Sequence, residues 1–329
     1  MTTEALAEAP EPANRVGLRR ALVLRDYGII GVLILLIVLL AATSRTFLTA
    51  ANLSAVLDQA AVPGIAACGV TLAIVSGAFD LSLGSVYAVG GIVSVMVARK
   101  AGTALGDLGA VASGATLGAI NGAIIAGLGI NSFIATLATS FAFGGIAIAL
   151  TSGVFVTTGA AHFGILGTLT PIGGLSVATW VFFGVALLTG VVLHSTGYGR
   201  TLFAIGGNRE AARLSGIRVR LNQVIALGLS GTCAAIAGVI DASRTAAASS
   251  SSGSTATLAL TAIAGTIIGG TSILGGDGAI WRAVVGVLIL GLMADAFNLL
   301  GINGNVQEIV EGMLILAAVG ADIALRRRA

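Results

Sequence analysis

The stretch from Tyr27 to Ala42 (YGIIGVLILLIVLLAA) contains no charged residue, and neither does the run from Leu175 to Leu193. Segments of that length and character belong in hydrocarbon, where every backbone polar group has to be paired internally, so only helices or a closed barrel qualify. Barrel strands would alternate apolar and polar residues over about ten positions. These runs are continuous, which selects helices. The whole chain agrees: 56% of its residues are hydrophobic and 9% charged, against about 25% charged in soluble domains. With so little charge the outer surface has to be covered by lipid. The expected class is an all-α integral membrane protein.

About ten membrane segments are legible, near 27–44, 56–76, 83–98, 108–128, 133–150, 175–193, 221–240, 258–271, 280–299 and 307–324. Several fall short of the roughly 20 residues of a perpendicular span. Short, Gly-interrupted segments suggest helices that are broken and buried by their neighbours. Residues 1–26 read as a disordered tail, with Pro10, Pro12 and a basic flank of Arg15, Arg19, Arg20 and Arg25. The apolar run that follows is too long for a cleaved signal and lacks a small-residue exit. Residues 27–324 form the membrane domain, with a polar loop at 194–222, and 325–329 a basic tail.

Glycine occurs 48 times, and small residues allow close approach of transmembrane helices. Cys68 and Cys233 lie inside apolar stretches as small hydrophobes, and with His162 and His194 the only histidines, no metal-ligand cluster is expected. Twelve of the seventeen basic residues lie before the first segment, in the 194–222 loop, or in Arg326, Arg327 and Arg328. The positive-inside rule puts all three groups in the cytoplasm, as an even number of spans requires. Arg99 and Lys100 then fall outside, against the rule.

Two stretches share a plan: Val70 to Gly91 and Ala264 to Val285 each read apolar run, Gly/Ser-rich break, apolar run. In gapless register Gly84 meets Gly278 and Tyr87 meets Trp281. Paired Gly-broken segments in two halves point to a transport path. Asp80, Ser82 and Ser85 sit at the first break, where polar groups can face a cavity instead of lipid. Tyr87 and Trp281 either stack on a ring-shaped solute or anchor the interface as belt aromatics. Residues 242–257 form a Ser/Ala/Thr-rich connector.

Lys100 is the only lysine, and no Gly-Lys-Ser/Thr occurs. A phosphate-cradling loop needs that lysine, so energy from ATP would have to come from another subunit. Intramembrane hydrolysis by a Ser/His pair requires a histidine inside the bundle, whereas His194 sits at a boundary and His162 in a loop. Ion-coupled transport, or facilitated passage, would draw on intramembrane carboxylates. Asp295 lies deepest, and Glu308 and Glu311 share a helix face, so Asp295 with Glu311 is the natural pair for that alternative.

The loop 194–222 contains a short helix with clear punctuation. Gly206 and Gly207 break the chain, Asn208 is a good N-cap, and Glu210 in the first turn and Arg213 in the last complement the dipole. Gly216 stands where a left-handed C′ residue belongs. The helix would present Arg209, Glu210, Ala211, Ala212 and Arg213 as a compact docking knob, or serve as a solvated connector.

The segment IGGNREAARLSGIRV, from Ile205 to Val219, resembles the signature of permease subunits of ribose-, xylose- and arabinose-type ATP-binding-cassette importers. GAFDLSLG (77–84) is similar to the family's GGIDLSVG, and NSFIATLAT (131–139) to its PPFIVTLGT without the prolines. GGTSILGGDG (269–278) and NLLGI (298–302) match its C-terminal half, so the resemblance runs in order from about residue 50 to 324. The acidic residues that the family often carries before GGTS are absent from Leu258 to Ile263, which bears on the solute and on docking of its binding protein.

The resemblance implies a multi-pass permease of the bacterial cytoplasmic membrane, not an enzyme, importing a sugar-like solute. It makes residues 207–213 and Gly216 a coupling helix for an ATPase subunit that holds ATP and Mg, while this chain binds no cofactor. It also implies a soluble extracytoplasmic binding protein, a second permease copy, and no nucleic-acid partner. Asp80, Ser82, Ser85, Tyr87, Asn131, Ser132, Phe133 and Trp281 become the expected lining of the path.

Overall fold

A computed structural model describes residues 13–320 apart from 172, 251, 305, 308, 311, 315, 318 and 319, with side-chain surroundings from Gly28 onward except at 252–254. The stretch 1–12, the basic end 325–329, Glu308 and Glu311 therefore lie outside the described residues. The elements in order are α1 (Ala13–Thr43), α2 (Ala50–Val75), α3 (Leu83–Ala101), α4 (Thr103–Leu128), α5 (Ser132–Thr151), β1 (Val156–Thr157), α6 (Ile165–Thr168), α7 (Val177–Ser195), α8 (Gly197–Gly207), α9 (Arg209–Leu214), α10 (Val219–Thr245), β2 (Ala247–Ala248), α11 (Ser252–Ile268) and α12 (Ile280–Leu299). Helix α1 thus begins within the stretch read from sequence as a tail.

Seven helices among the described residues are long and apolar enough to cross a membrane: α2, α3, α4, α5, α7, α10 and α12. Each coincides with an expected segment. Two further segments coincide with the shorter apolar helices Gly28–Thr43 and Thr255–Ile268. The tenth, at 307–324, is only partly described.

Helix α2 is the centre of the bundle. From Gly64 to Val75 every residue is buried, against α7, α10, α11 and α12. The glycine excess has a direct use between α4 and α10. A Cβ on Gly114 would stand 2.3 Å from the Gly231 carbonyl oxygen, one on Gly118 2.1 Å from that of Leu227, and one on Gly122 2.4 Å from the Cα of Val224. Three glycines spaced four apart on one helix therefore let two backbones touch, which is how helices gain dispersion energy in lipid.

The bundle has two distinguishable ends. At one, β1 pairs antiparallel with β2, Val156 opposite Ala248, and Ala98 of α3 packs with Phe163 and Ala242. Arg99 and Lys100, in the last turn of α3, share that end. At the other end lie α9 and the two Gly-rich breaks, 76–82 and 269–279.

Candidate functional site

Helix α9 is short, and its caps hold both ends. The Asn208 side chain accepts from the Ala211 amide at 3.0 Å. At the other end the Ile217 amide donates to the Ala212 carbonyl at 3.1 Å and the Gly216 amide to that of Arg213 at 3.0 Å. With Gly216 at φ 83°, this is a Schellman termination. Arg213 pairs with Glu210 at 2.6 Å, both largely exposed, and the paired carboxylate raises the Arg213 pKa further. Ala212 is buried with Ile205 and Val219, so it pins the helix to its base and is not part of the presented face. Leu214 is 78% exposed, an apolar side chain on that face that the sequence reading did not single out. Helix α8 forms the base: the Tyr198 hydroxyl donates to the Asn222 carbonyl at 3.1 Å, and burial raises the Tyr198 pKa.

The root of α9 rests on both breaks. A Cβ on Gly206 would stand 1.9 Å from the Val75 carbonyl oxygen and 2.4 Å from the Gly276 nitrogen. One on Gly275 would stand 2.9 Å from the Gly77 Cα and 3.2 Å from that of Gly206. Three chain segments meet backbone to backbone, and only hydrogen side chains allow it. The two segments of shared plan, 70–91 and 264–285, are thus neighbours in space.

The first break is held from within the bundle. Asp80 is fully buried; its Oδ1 accepts from the Ser82 amide at 3.1 Å and the Ser82 hydroxyl at 2.6 Å. Its Oδ2 accepts from the Ser230 hydroxyl at 2.8 Å, and Asn121 donates to Ser82 Oγ at 2.6 Å. The amides of Phe79 and Leu81 donate to Ser132 Oγ at 3.0 Å and Thr136 Oγ1 at 3.1 Å. Ser132 was expected on the path but clasps the break, together with Thr136, Ser230 and Asn121, none of which the sequence reading placed here. Asp80 and Ser82 were expected to face a cavity; their polar atoms face these donors and acceptors.

Ser85 does border a cavity, of about 470 Å³, with Ser140, Phe141 and Gly144 among its lining, and donates to the Ser140 carbonyl at 2.8 Å. Tyr87 borders a second cavity and donates to Asp241 Oδ2 at 2.5 Å. Trp281 lies elsewhere, in an outer groove between α7 and α12 with His194 and Leu187. Asn131 caps α5, accepting from the Phe133 amide at 2.9 Å, and Phe133 is half exposed.

Three of the carboxylates on which ion coupling could draw already have partners among the described residues. Asp295 accepts from Asn52 at 2.8 Å, Asp58 pairs with Arg244 at 3.1 Å, and Asp277 with Arg282 at 2.8 Å. His194 packs beside Phe203, and neither it nor His162 bonds a serine hydroxyl among the described residues.

Comparison with known proteins agrees with the geometry. Residues 52–319 match the family model described as branched-chain amino acid transport system / permease component. The ribose import permease protein RbsC of Escherichia coli is 37% identical over 295 residues, covering 88% of this chain and 91% of that one. The L-arabinose transport system permease protein AraH is 36% identical over 301 residues, 90% of each chain. The D-allose transport system permease protein AlsC is 33% identical over 326 residues, 98% of each. No solved structure matches the chain. A bundle of membrane-length helices with two Gly-rich breaks, matched over most of its length by permeases, belongs to the branched-chain amino acid transport system / permease component family.

Proposed function

We propose that this chain is the membrane-spanning permease subunit of an ATP-binding-cassette importer for a monosaccharide. The observation that carries the reading is α9, a doubly capped helix whose root touches both breaks. The names of the relatives, which specify ribose, L-arabinose and D-allose, supply the solute class. In this reading a separate ATPase subunit holds ATP and Mg and grips α9, a soluble extracytoplasmic protein delivers the sugar, and a second permease copy completes the path. Both termini and α9 face the cytoplasm. Closure of the ATPase pair moves α9, and the breaks it touches shift the bundle between two open faces. Ser85 and Tyr87 line the path, Asp80, Ser82 and Ser132 fix the break that shapes it, Asn131 and Phe133 begin the helix that flanks it, and Trp281 is an interfacial aromatic.

The test is reconstitution in vesicles. The chain with its ATPase and binding protein is expected to accumulate one of D-ribose, L-arabinose or D-allose only when ATP is present, and the chain alone to hydrolyse none. Passage of the sugar down a gradient through the chain alone would establish a facilitator instead.

A further inference from the structure

Two cavities open beside α3 and share Ala88 as a wall. The smaller, about 320 Å³, is bounded by Tyr87 and Gly91 of α3, Asp241 and Thr245 of α10, Phe155, and Ser249 just after β2. We propose that this cavity is a recognition site for a neutral polyhydroxylated ring, a single monosaccharide in transit. The proposal rests on the importer reading above and adds to it the residues that grip the solute.

The chemistry begins with Asp241. A carboxylate within a membrane helix is costly and is retained where it meets something polar. Its Oδ2 accepts from the Tyr87 hydroxyl at 2.5 Å. Among the described residues no donor reaches Oδ1. The nearest cation in sequence, Arg244, is committed to Asp58, through the carboxylate at 3.1 Å and the backbone carbonyl at 2.6 Å. Asp241 is therefore a carboxylate with one oxygen held and the other open to donors. Vicinal sugar hydroxyls are such donors, and a carboxylate accepts on both oxygens.

The walls suit the rest of a sugar. Tyr87 and Phe155 place aromatic side chains in the wall, suited to the apolar C–H side. Thr245 donates to the Ala247 carbonyl at 3.1 Å, which leaves its oxygen lone pairs to accept. A volume of about 320 Å³ lies at the low end of the roughly 300–1,000 Å³ of small-molecule sites, which fits one ring and not an oligosaccharide. The Ser/Ala/Thr stretch after α10, read from sequence as a connector, here supplies part of the wall.

The experiment uses the complete importer in vesicles. Thr245→Cys puts a near-isosteric thiol in the cavity, against a background in which Cys68 and Cys233 are buried. Labelling by a polar methanethiosulfonate reagent is measured with and without D-ribose, L-arabinose or D-allose, each alone. The transported sugar is expected to slow labelling several-fold. Separately, Asp241→Asn is expected to raise the KM for that sugar about tenfold or more, the size of losing a hydrogen bond to a charged group, while partner-stimulated ATP hydrolysis persists. Tyr87→Phe is expected to act in the same direction, less strongly. If the wild-type importer accumulates a sugar yet that sugar neither protects Thr245→Cys nor shows a changed KM in Asp241→Asn, the site is wrong and the importer reading stands. Protection by sodium ions and not by sugar would replace it with a cation site. If the wild-type importer accumulates none of the three sugars, the importer reading fails and this proposal falls with it.

Discussion

The backbone amide of Gly276 donates to the carbonyl of Val75 at 3.0 Å, joining the second helix break directly to the end of α2. Gly206, the last turn of α8, is wedged at the same point. A force applied to α9 therefore reaches both breaks without passing through any side chain. Side chains can change rotamer and absorb a displacement. Touching backbones transmit it, because their only compliance is in φ and ψ.

This junction makes two neighbouring glycines unequal. Gly206→Ala would push a methyl group into the Val75 carbonyl and the Gly276 amide, and overpacking of this kind costs about 1–3 kcal/mol. Gly207→Ala meets nothing within 4 Å. The expected outcome is a lower melting temperature and impaired uptake for Gly206→Ala, with both properties near wild type for Gly207→Ala. Equal melting curves for the two variants in detergent would mean the junction is loose.

Asp80 is expected to behave as a keystone of the first break. Asp80→Ala would leave the Ser82 amide, the Ser82 hydroxyl and the Ser230 hydroxyl without their acceptor. A buried group left unpaired costs about 1–3 kcal/mol, so the variant should express poorly and melt early. Ser230→Ala removes one donor and should cost less. Both are read by thermal unfolding of purified protein. Wild-type stability in Asp80→Ala would show that the network contributes little.

Hydropathy is a local property, which is why seven expected segments coincide with membrane-length helices and two with shorter ones. The caps of α9 were legible for the same reason, since Asn208 and Gly216 act within one turn of themselves. What joins the pieces was not. A hydroxyl such as that of Thr136 donates to the carbonyl four residues back, at 2.8 Å from Ser132, so in sequence it looks locally satisfied. Nothing local announces that it also accepts from Leu81. Asp80 was recognisable as a carboxylate at a break, and two of its donors come from nearby Ser82, but the third, the Ser230 hydroxyl, arrives from α10. Tyr87 and Trp281 occupy matching positions in the two shared patterns, yet one meets Asp241 and the other an outer groove. Helix α3 is enclosed by α4, α5, α10 and α11, whereas Trp281 of α12 lines an outer groove shared with α7.

The two ends of the bundle give a test of orientation. Arg99 and Lys100 lie at the end that carries β1 and β2, opposite α9. With Cys68 and Cys233 replaced, a cysteine at position 100 is expected to react with an impermeant reagent added outside intact cells. A cysteine at position 213 should react only after permeabilisation. Labelling of position 213 from outside would invert the proposed orientation, and labelling of both from one side would contradict the bundle itself.

The sharpest expectation concerns α9. The Ala212 amide donates to the Asn208 carbonyl at 3.0 Å; proline at 212 removes that bond, and a proline in a helix interior costs about 3 kcal/mol relative to alanine. A six-residue helix has no further turns to share the strain. The proline ring would also press on Ile205 and Val219, which cover Ala212, so part of the damage would fall on the base of the helix. Leu214→Asp separates the two effects. Leu214 is largely exposed to solvent, so its replacement should leave melting unchanged and weaken capture of the ATPase subunit. Arg213→Ala should be milder, because a solvent-exposed pair contributes little. Membrane insertion, co-purification with the ATPase and sugar uptake are measured for all three. Ala212→Pro should insert, lose the ATPase and take up no sugar. Leu214→Asp should show reduced co-purification at full stability. Full uptake by Ala212→Pro at wild-type expression would reduce α9 to a connector and remove the observation on which the importer reading rests.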